Sequence, residues 1–373
     1  MPTISIFLHQ LDATGVARNA IAIARHMQAA GWRAVIVTVR AGGEMAAAAD
    51  GLRHEVLGAL GLPRKMELRL SIPRLSRTLG ALAPDVVLSS GNHAHFAVLG
   101  ATGGILRART VYRFSNDLAH TGGGLHALVS RRRAVARLVA HRAARLVLVS
   151  DNLARDPILA PQVASGKARV IANGVDVSQV RARALEPAEH PWLAQDVPIV
   201  LGVGRLVRQK NFGVLLSAFA QARHERPLRL ILVGAGKPQV RAALEAQAAT
   251  LGIADEVSFA GQVSNPNPFF HAASVMAIPS LWEGSPNVLL EALACGTPVI
   301  ASRTAGNAAA ILDEGRYGVL ADPHDANAFA RGILAQLDPA RRIAPGERAD
   351  AFDRSVSLRA YQSLFEDMVA DAT

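Results

Sequence analysis

Residues 278–302 contain an apolar strand, a loop, an amphipathic helix, a tight turn and a second apolar strand. Two neighbouring strands joined through a helix run parallel, so this stretch predicts a parallel sheet covered by helices. Ser285 is expected to cap the helix with its hydroxyl, and Pro286 suits the first helical position, where an N–H is not needed. Gly296 then stands where a helix can end in a left-handed residue.

Two carboxylates flank the start of this helix. Glu283 lies in the loop before it and Glu291 about two turns into it. The N–H groups of Asn287, Val288 and Leu289 are expected to be free and to sit at the positive end of the helix dipole, which suits a diphosphate. Carboxylates accept hydrogen bonds from sugar hydroxyls. A helix with two surface glutamates remains the alternative at this point.

The same alternation recurs along the chain. Ile4–Leu8 and Ala34–Val39 are predicted as strands around a helix at Val16–Ala30. The pattern restarts at Pro198–Gly204 and continues through residues 278–302. Repeated strand–helix alternation indicates doubly wound α/β sheets, here in two domains. We place the first domain at 1–178, a linker at 179–197 and the second domain at 198–345.

Composition narrows the class of protein. A chain of 373 residues suits two domains, and its single cysteine, Cys295, excludes an internal disulfide and fits a reducing compartment. The N-terminal strand does not look like a signal peptide, and no uncharged apolar run is long enough for a membrane span. We therefore expect a cytoplasmic protein. The net charge of +10 favours anionic partners.

A basic loop follows the first strand of the second domain. Gly204 lets a ligand approach the backbone, and Arg205 and Lys210 can clamp a diphosphate. A plain basic loop is the alternative. The third glycine of a dinucleotide fingerprint is missing, there is no Gly-Lys-Ser/Thr phosphate loop, and no Asp-x-Asp metal pair occurs. These absences argue against a nicotinamide cofactor and against a nucleotide-hydrolysing motor.

The run EGSPN at 283–287, Glu291, and the run ACGTPVI at 294–300 together resemble the signature of the retaining family 4 glycosyltransferases of the GT-B fold. The resemblance implies two Rossmann-like domains facing a cleft, with a C-terminal helix (352–373) that crosses back to the acceptor-side N-terminal domain. It implies transfer of a hexose from a UDP- or GDP-linked sugar to a glycan or lipid-linked acceptor hydroxyl. Bacterial surface polysaccharide, lipopolysaccharide or glycolipid assembly is the expected setting, with no metal and no cofactor beyond the nucleotide-sugar co-substrate.

The resemblance also implies roles for individual residues. Arg205 and Lys210 would hold the diphosphate, Glu283 would face the donor sugar, and Glu291 would bind the ribose. These expectations give three catalytic residues, Arg205, Lys210 and Glu283. They also give a wider set of donor-binding residues: Gly15, Gly204, Gln262, Val263, Gly284, Ser285, Asn287, Val288, Leu289 and Glu291.

The acceptor side departs from the family pattern. Many relatives place a functional histidine soon after the arginine of the strand that matches Val111–Phe114. Here Ser115-Asn116-Asp117 follows instead, so the acceptor-side candidates stay open between four residues: His93, Asn116, Asp117 and His120. His93 also forms a His-x-His pair with His95, but that spacing alone is a weak indication of a metal site.

Residues 125–145 form a predicted helix rich in arginine. Such a helix can lie on an anionic membrane surface or simply present a solvated face. No aromatic side chain alternates with the arginines to stack on bases, so nucleic acid is not expected as a partner. Two other functions stay open at this stage: a sugar-nucleotide epimerase on the same fold, and a non-catalytic nucleotide-sugar or membrane-binding protein.

Overall fold

The computed structural model describes residues 1–12, 14–103, 109–118 and 126–371, without the side chains of 126–130. The chain divides into two compact units. The first contains residues 1–173 together with 355–373, and the second contains residues 174–354. Each unit is built on its own parallel sheet, as the alternating sequence pattern predicts.

The first sheet has seven parallel strands in the order β3-β2-β1-β4-β5-β6-β7. Their bounds are β1 Thr3–Leu8, β2 Arg33–Thr38, β3 Arg53–Val56, β4 Val86–Ser89, β5 Thr110–Phe114, β6 Arg145–Leu148 and β7 Ala168–Val170. The register pairs Phe7 with Val37 on one side and with Ser89 on the other. Strand order reverses at β1, between β2 and β4, which is where doubly wound sheets offer a crevice at the carboxyl ends of their strands.

Helices cover both faces of this sheet. They are α1 Gly15–Ala29, α2 Arg64–Leu70, α3 Ile72–Leu82, α4 His95–Thr102, α5 His126–Arg142, α6 Asp151–Ala154 and α7 Ala160–Ala164. Successive strand residues belong to opposite cores: Ile6 lies in one cluster and Phe7 in the other, and both are fully buried. Burial on both faces explains why the strands are continuous apolar runs rather than alternating ones.

The second unit repeats the design with six parallel strands in the order β10-β9-β8-β11-β12-β13. Their bounds are β8 Ile199–Val203, β9 Arg229–Val233, β10 Val257–Gly261, β11 Val275–Ile278, β12 Val299–Ser302 and β13 Val319–Ala321. The helices are α8 Val177–Ala184, α9 Phe212–Glu225, α10 Pro238–Thr250, α11 Asn267–Ala272, α12 Asn287–Ala294, α13 Ala308–Ile311 and α14 Ala326–Leu337. Here the order reverses between β8 and β11, which are direct neighbours.

The last helix, α15 (Arg354–Ala370), packs on the first unit. Tyr361 and Phe365 are buried in the same cluster as helix α1, and Phe365 lies 6.4 Å from Trp32 between ring centroids. Tyr361 also accepts a hydrogen bond from the buried Arg113 guanidinium of β5 at 3.0 Å. The expected return of the C-terminal helix to the first domain, a GT-B feature, is confirmed.

The structure differs from the sequence analysis in two respects. Strand β3 and helix α2 lie within residues 42–73, where no strand or helix is predicted above. The predicted linker 179–197 is part of the second unit, where α8 takes up residues 177–184 and a 3₁₀ turn spans Pro191–Ala194. The chain passes between units near Asn173 and Arg354 instead. Gly174 is required there because an added Cβ would lie 2.7 Å from the Arg354 Cα.

Candidate functional site

The loop after β8 is shaped by Gly204. Its φ of 149° is favourable only for glycine, and its N–H donates to the Val233 carbonyl at 2.9 Å. An added Cβ would lie 2.8 Å from Cε of Lys210, so the lysine side chain crosses directly over this glycine. The loop ends in a 3₁₀ turn at Arg208–Lys210. The sequence placed Gly204 and Lys210 in one loop, and the structure brings them into contact.

Lys210 forms an ion pair with Glu283. The Lys210 Nζ lies 2.6 Å from the Glu283 Oε1, and the two side chains are only 14% and 11% exposed. Lys210 follows β8 and Glu283 follows β11, so the pair lies where the strand order of this sheet reverses. Arg205, in the same loop as Lys210, is exposed and forms no ion pair with any residue in the described ranges. The loop therefore carries one cation that is held in place by a carboxylate and one that has no ion-pair partner among the described residues.

Two supporting residues were missed by the sequence analysis. Gln209 donates from Nε2 to the Trp282 carbonyl at 2.8 Å and to Glu283 Oε2 at 3.3 Å. Ser280 donates its hydroxyl to Glu283 Oε1 at 3.0 Å. Together with Lys210 these donors fix the carboxylate in one orientation, and Oε2 is the less heavily used oxygen. Gln209 and Glu283 are 74 positions apart in the sequence, so their contact becomes visible only in the folded structure.

A third loop supports Glu283 from the β12 side. Gly306 has a φ of 61°, and an added Cβ would lie 2.7 Å from the Gly284 carbonyl oxygen and 3.1 Å from the Glu283 Cβ. The Ser302 hydroxyl donates to the Ser280 carbonyl at 2.5 Å. The loops after β8, β11 and β12 thus converge on one carboxylate.

The start of helix α12 differs from the prediction. The helix begins at Asn287 with Pro286 as its N-cap, and Ser285 makes no capping hydrogen bond. Pro286 has ψ of 90°, so the chain enters the helix one residue later than predicted and carries Ser285 away from the first turn. The Leu289 N–H, expected to be free, donates to the Pro286 carbonyl at 2.9 Å. The Ser285 Oγ is buried without a hydrogen-bond partner among the described residues.

The other predicted donor residues lie on this unit as follows. Gly284 is buried, Asn287 and Val288 are half-buried in the first turn of α12, and Leu289 is fully buried in the core. The Leu289 side chain therefore packs inside the protein and is not available to a ligand. On the second turn, Glu291 is half-buried.

Two further features flank this helix. Gln262 is exposed directly after β10, and Val263 packs partly against the core. Burial, helped by the nearby Glu291 carboxylate, raises the pKa of the Cys295 thiol to about 12. The thiol consequently stays protonated, and it packs partly buried against the core.

The acceptor-side candidates lie on the first unit. His93 is exposed in the loop between β4 and α4, while Asn116 and Asp117 follow β5. Asn92, which sequence reasoning did not single out, joins the two loops: its Oδ1 accepts from the Ser115 N–H at 2.8 Å, and its Nδ2 donates to the Asn116 carbonyl at 3.3 Å. His120 lies outside the described residues.

Charge around His93 is strongly positive. Desolvation by the surrounding protein, followed by repulsion from Arg64 and Arg132, lowers the pKa of His93.

The predicted donor-side Gly15 is the first residue of α1, and Thr14 caps this helix by accepting from the Ala17 N–H at 3.3 Å. Gly15 is exposed at that position.

The His-x-His pair does not form a metal site. His95 is buried, its Nδ1 lies 2.8 Å from the Ser89 hydroxyl, and its ring packs edge-on against Tyr112 and Phe114. Burial lowers the pKa of His95 to about 3, so the ring is neutral. Across the residues that the structure describes, no cluster of three or more His, Cys, Asp or Glu side chains could hold a metal ion.

A buried ionic network lies at the same edge of the first sheet. The Glu67 carboxylate of α2 is fully buried and accepts from Arg40 Nε at 2.7 Å, lies 2.9 Å from His9 Nε2, and accepts from the Leu60 N–H at 3.1 Å. The Arg40 hydrogen bond is the main reason that the pKa of Glu67 is lowered to about 2. The network ties α2 to the ends of β1 and β2.

Comparison with known proteins decides the family. Residues 13–179 match the family model described as Glycosyltransferase Family 4, and residues 197–338 match that of Glycosyl transferases group 1. D-inositol 3-phosphate glycosyltransferase of Corynebacterium jeikeium is 30% identical over 308 residues, which cover 74% of this chain and 72% of that protein. The chain belongs to the group 1 glycosyltransferases.

Other group 1 glycosyltransferases are similar over different spans. D-inositol 3-phosphate glycosyltransferase 2 of Catenulispora acidiphila is 32% identical over 69% of this chain, and the match spans 65% of that protein, slightly less than two thirds of its length. The lipopolysaccharide core biosynthesis glycosyltransferase LpsE of Rhizobium meliloti is 36% identical over 44% of this chain and 46% of its own length.

Solved structures share the GT-B fold of this glycosyltransferase. Sucrose-phosphate synthase from Thermosynechococcus elongatus superposes with a TM-score of 0.80 at 22% identity, covering 100% of both chains. Anabaena HepE, solved in complex with UDP-glucose, gives a TM-score of 0.80 at 20% identity over 98% of this chain and 100% of that one. At these identities the likeness concerns the fold alone.

Proposed function

We propose that this glycosyltransferase is a retaining enzyme that moves a hexose from a UDP- or GDP-linked sugar to a hydroxyl of a glycan or lipid-linked acceptor. The observation that carries the proposal is the Lys210–Glu283 ion pair at the reversal of strand order, with exposed Arg205 beside it. Crevices of this kind bind ligands in doubly wound sheets. The solved complex of HepE with UDP-glucose, on the same fold, supports a nucleotide-sugar donor.

The donor would place its diphosphate against Arg205 and Lys210. Arg205 offers a planar fork for two phosphate oxygens, while Lys210 offers a point charge that Glu283 already holds in place. Electrostatic stabilisation of the departing diphosphate is then built into the loop before the reaction begins. The two basic side chains supply the positive charge that a metal ion provides in other transferases, so we propose that no metal is needed.

Glu283 would hold the donor sugar. Its Oε1 accepts from Lys210 and Ser280, whereas Oε2 accepts, among the described residues, only the longer contact from Gln209. A sugar hydroxyl could donate to Oε2 without breaking the ion pair. Glu291, on the second turn of α12, would accept from the ribose, and the loop with Gln262 and Val263 would border the base.

The chemical step that we propose is a same-face substitution. The acceptor oxygen bonds to the anomeric carbon as the bond from that carbon to the diphosphate breaks, and a departing phosphate oxygen takes the acceptor proton. The products are a glycoside with unchanged anomeric configuration and a free nucleoside diphosphate. His93, Asn116, Asp117 and His120 remain the candidates that orient the acceptor.

The setting that we propose is the assembly of surface polysaccharide, lipopolysaccharide or glycolipid at the inner face of a bacterial membrane. The similarity to LpsE, which is named for lipopolysaccharide core biosynthesis, supports this setting. Within the described part of the chain, no helix combines the length and the hydropathy that a membrane span requires. We propose that attachment to the membrane would be peripheral, through a basic surface of the protein.

The test is turnover. The enzyme is incubated in EDTA with UDP- and GDP-hexoses, with and without a bacterial lipid and glycan extract, and NMR follows the anomeric proton of the product. We expect acceptor-dependent release of nucleoside diphosphate and a product with the anomeric configuration of the donor. Conversion of the donor without any acceptor would favour an epimerase, and an inverted product would contradict the retaining mechanism.

A further inference from the structure

Helix α2 exposes large apolar side chains to solvent. Met66 is 50% exposed and Leu70 is 53% exposed, while Phe96, at the start of the neighbouring helix α4, is 42% exposed. Single exposed apolar side chains are ordinary, but a group of them on packed neighbouring helices marks an interaction surface. We call Met66, Leu70 and Phe96, together with Lys65 and Arg69, the α2 face.

The charge of the α2 face has one sign. Residues 64–82 contain one acidic side chain, Glu67, and it is fully buried against His9 and Arg40. The segment also carries five exposed basic side chains: Arg64, Lys65, Arg69, Arg74 and Arg77. The Arg69 guanidinium lies 5.7 Å from the centre of the Phe96 ring, so basic and apolar groups are interleaved rather than segregated.

We propose that the α2 face docks on the surface of an anionic lipid bilayer. Apolar side chains that enter the acyl boundary, surrounded by lysine and arginine at headgroup level, are the pattern of interfacial helices. Uniform positive charge complements anionic headgroups over the whole face. Lys65 and Arg69 can also lay their stems along the apolar surface while their charges stay in the headgroup layer.

The α2 face suits this role better than the arginine-rich helix α5. Among the described side chains of α5, one large apolar side chain is exposed, Leu138 at 37%. Over residues 131–142, whose side chains the structure describes, helix α5 therefore offers charge with little to insert, whereas α2 offers both. Charge alone gives binding that salt abolishes, while inserted apolar side chains leave part of the binding at higher ionic strength.

Docking through α2 would also turn the acceptor-side edge of the first unit toward the lipid bilayer. Glu67, on the buried side of α2, contacts His9 at the end of β1, and β4 with its His93 loop is the next strand. This consequence for acceptor delivery rests on the proposed function. The docking itself does not.

The test is co-sedimentation of the full chain with vesicles of phosphatidylcholine, alone or with phosphatidylglycerol. We compare wild type, Met66→Ser/Leu70→Ser, a control with two exposed apolar residues replaced elsewhere (Leu185→Ser/Val356→Ser), and an α5 charge variant (Arg131→Gln/Arg137→Gln). We expect binding only to vesicles with phosphatidylglycerol. The α2 variant should bind about tenfold or more weaker, and the control should match wild type.

Each other outcome overturns the proposal. If the wild type does not bind vesicles, the α2 face does not dock on a bilayer. If the α2 variant then also loses self-association in sedimentation velocity, the face is a contact between copies of this chain. Binding that survives the α2 variant but is lost in the α5 variant would assign the membrane to α5. Matching thermal unfolding of all variants excludes misfolding, and retained turnover on a water-soluble acceptor separates this result from a failure of the proposed function.

Discussion

Replacing Lys210 with methionine keeps the length of the side chain and removes its charge. Lys210 and Glu283 are 14% and 11% exposed, so the interaction of Lys210 with a donor phosphate is only partly screened by water. A pair of unit charges about 4 Å apart at an effective dielectric of about 20 is worth about 4 kcal/mol. Because Glu283 already competes for the same ammonium, we expect the lost transition-state stabilisation to be about 3–4 kcal/mol, or about 10²–10³-fold in kcat.

The protein should remain folded. The Glu283 carboxylate of Lys210→Met keeps its hydrogen bonds from Ser280 and Gln209, so we expect a loss of about 1–3 kcal/mol in stability. For a unit of the size of residues 174–354, that corresponds to a fall in Tm of about 2–4 °C per kcal/mol. Thermal unfolding measured beside the kinetics separates the two effects.

The matched control is Arg208→Met. Arg208 is an exposed basic residue two positions before Lys210 in the same loop, and it does not pair with Glu283. Release of nucleoside diphosphate is followed at saturating donor for the wild type and both variants. We expect Arg208→Met to stay within about twofold of wild type. A folded Lys210→Met enzyme with a kcat within tenfold of wild type would refute the assigned role, and equal losses in both variants would reduce it to general charge in the loop.

Two further predictions concern the supporting residues. Gln209→Leu removes the donors to the Trp282 carbonyl and to Glu283 Oε2, so KM for the donor should rise several-fold with a smaller change in kcat; an unchanged KM would show that Gln209 does not position Glu283. Glu67→Gln removes the buried carboxylate that accepts from Arg40, whose side chain is 35% exposed, so the protein should lose about 1–2 kcal/mol at pH 7. The pKa of Glu67 is lowered from 4.5 to about 2 in the folded protein. The wild type is therefore more stable than the variant by the full amount above about pH 4.5, and it loses this extra stability as the pH falls toward 2. In urea unfolding of the first unit, the difference in free energy of unfolding between wild type and Glu67→Gln should therefore become smaller as the pH is lowered. A difference that does not depend on pH would contradict the role of the network.

The sequence predicted most of the fold because the strands are buried on both faces. Strands such as Ile4–Leu8 and Pro198–Gly204 are continuous apolar runs, and helices with an apolar side lie between them. Strand β3 escaped notice because it is a sheet edge with the polar sequence Arg53-His54-Glu55-Val56. Helix α2 escaped because it is short and one of its two buried residues is the charged Glu67, whose partners come from other elements.

The individual residues of the candidate site could be predicted from the sequence, but the contacts between them could not. Lys210 and Glu283 each follow an apolar strand, and their motif made them candidates, but only the adjacency of β8 and β11 turns them into a pair. The contact of Gln209 with the Glu283 loop depends on the same adjacency. Ser285 was wrongly predicted as a cap because residue type favours capping, while the backbone at Pro286 decides where the helix begins.

Calorimetric titration of the enzyme with UDP and GDP in EDTA tests the central claim most directly, because it needs no acceptor. The account predicts that one nucleoside diphosphate binds without metal, and that Arg205→Met weakens it by about tenfold or more while Arg208→Met leaves it unchanged. Absence of binding by both nucleotides, or binding that Arg205→Met does not weaken, would contradict a diphosphate site in the loop after β8.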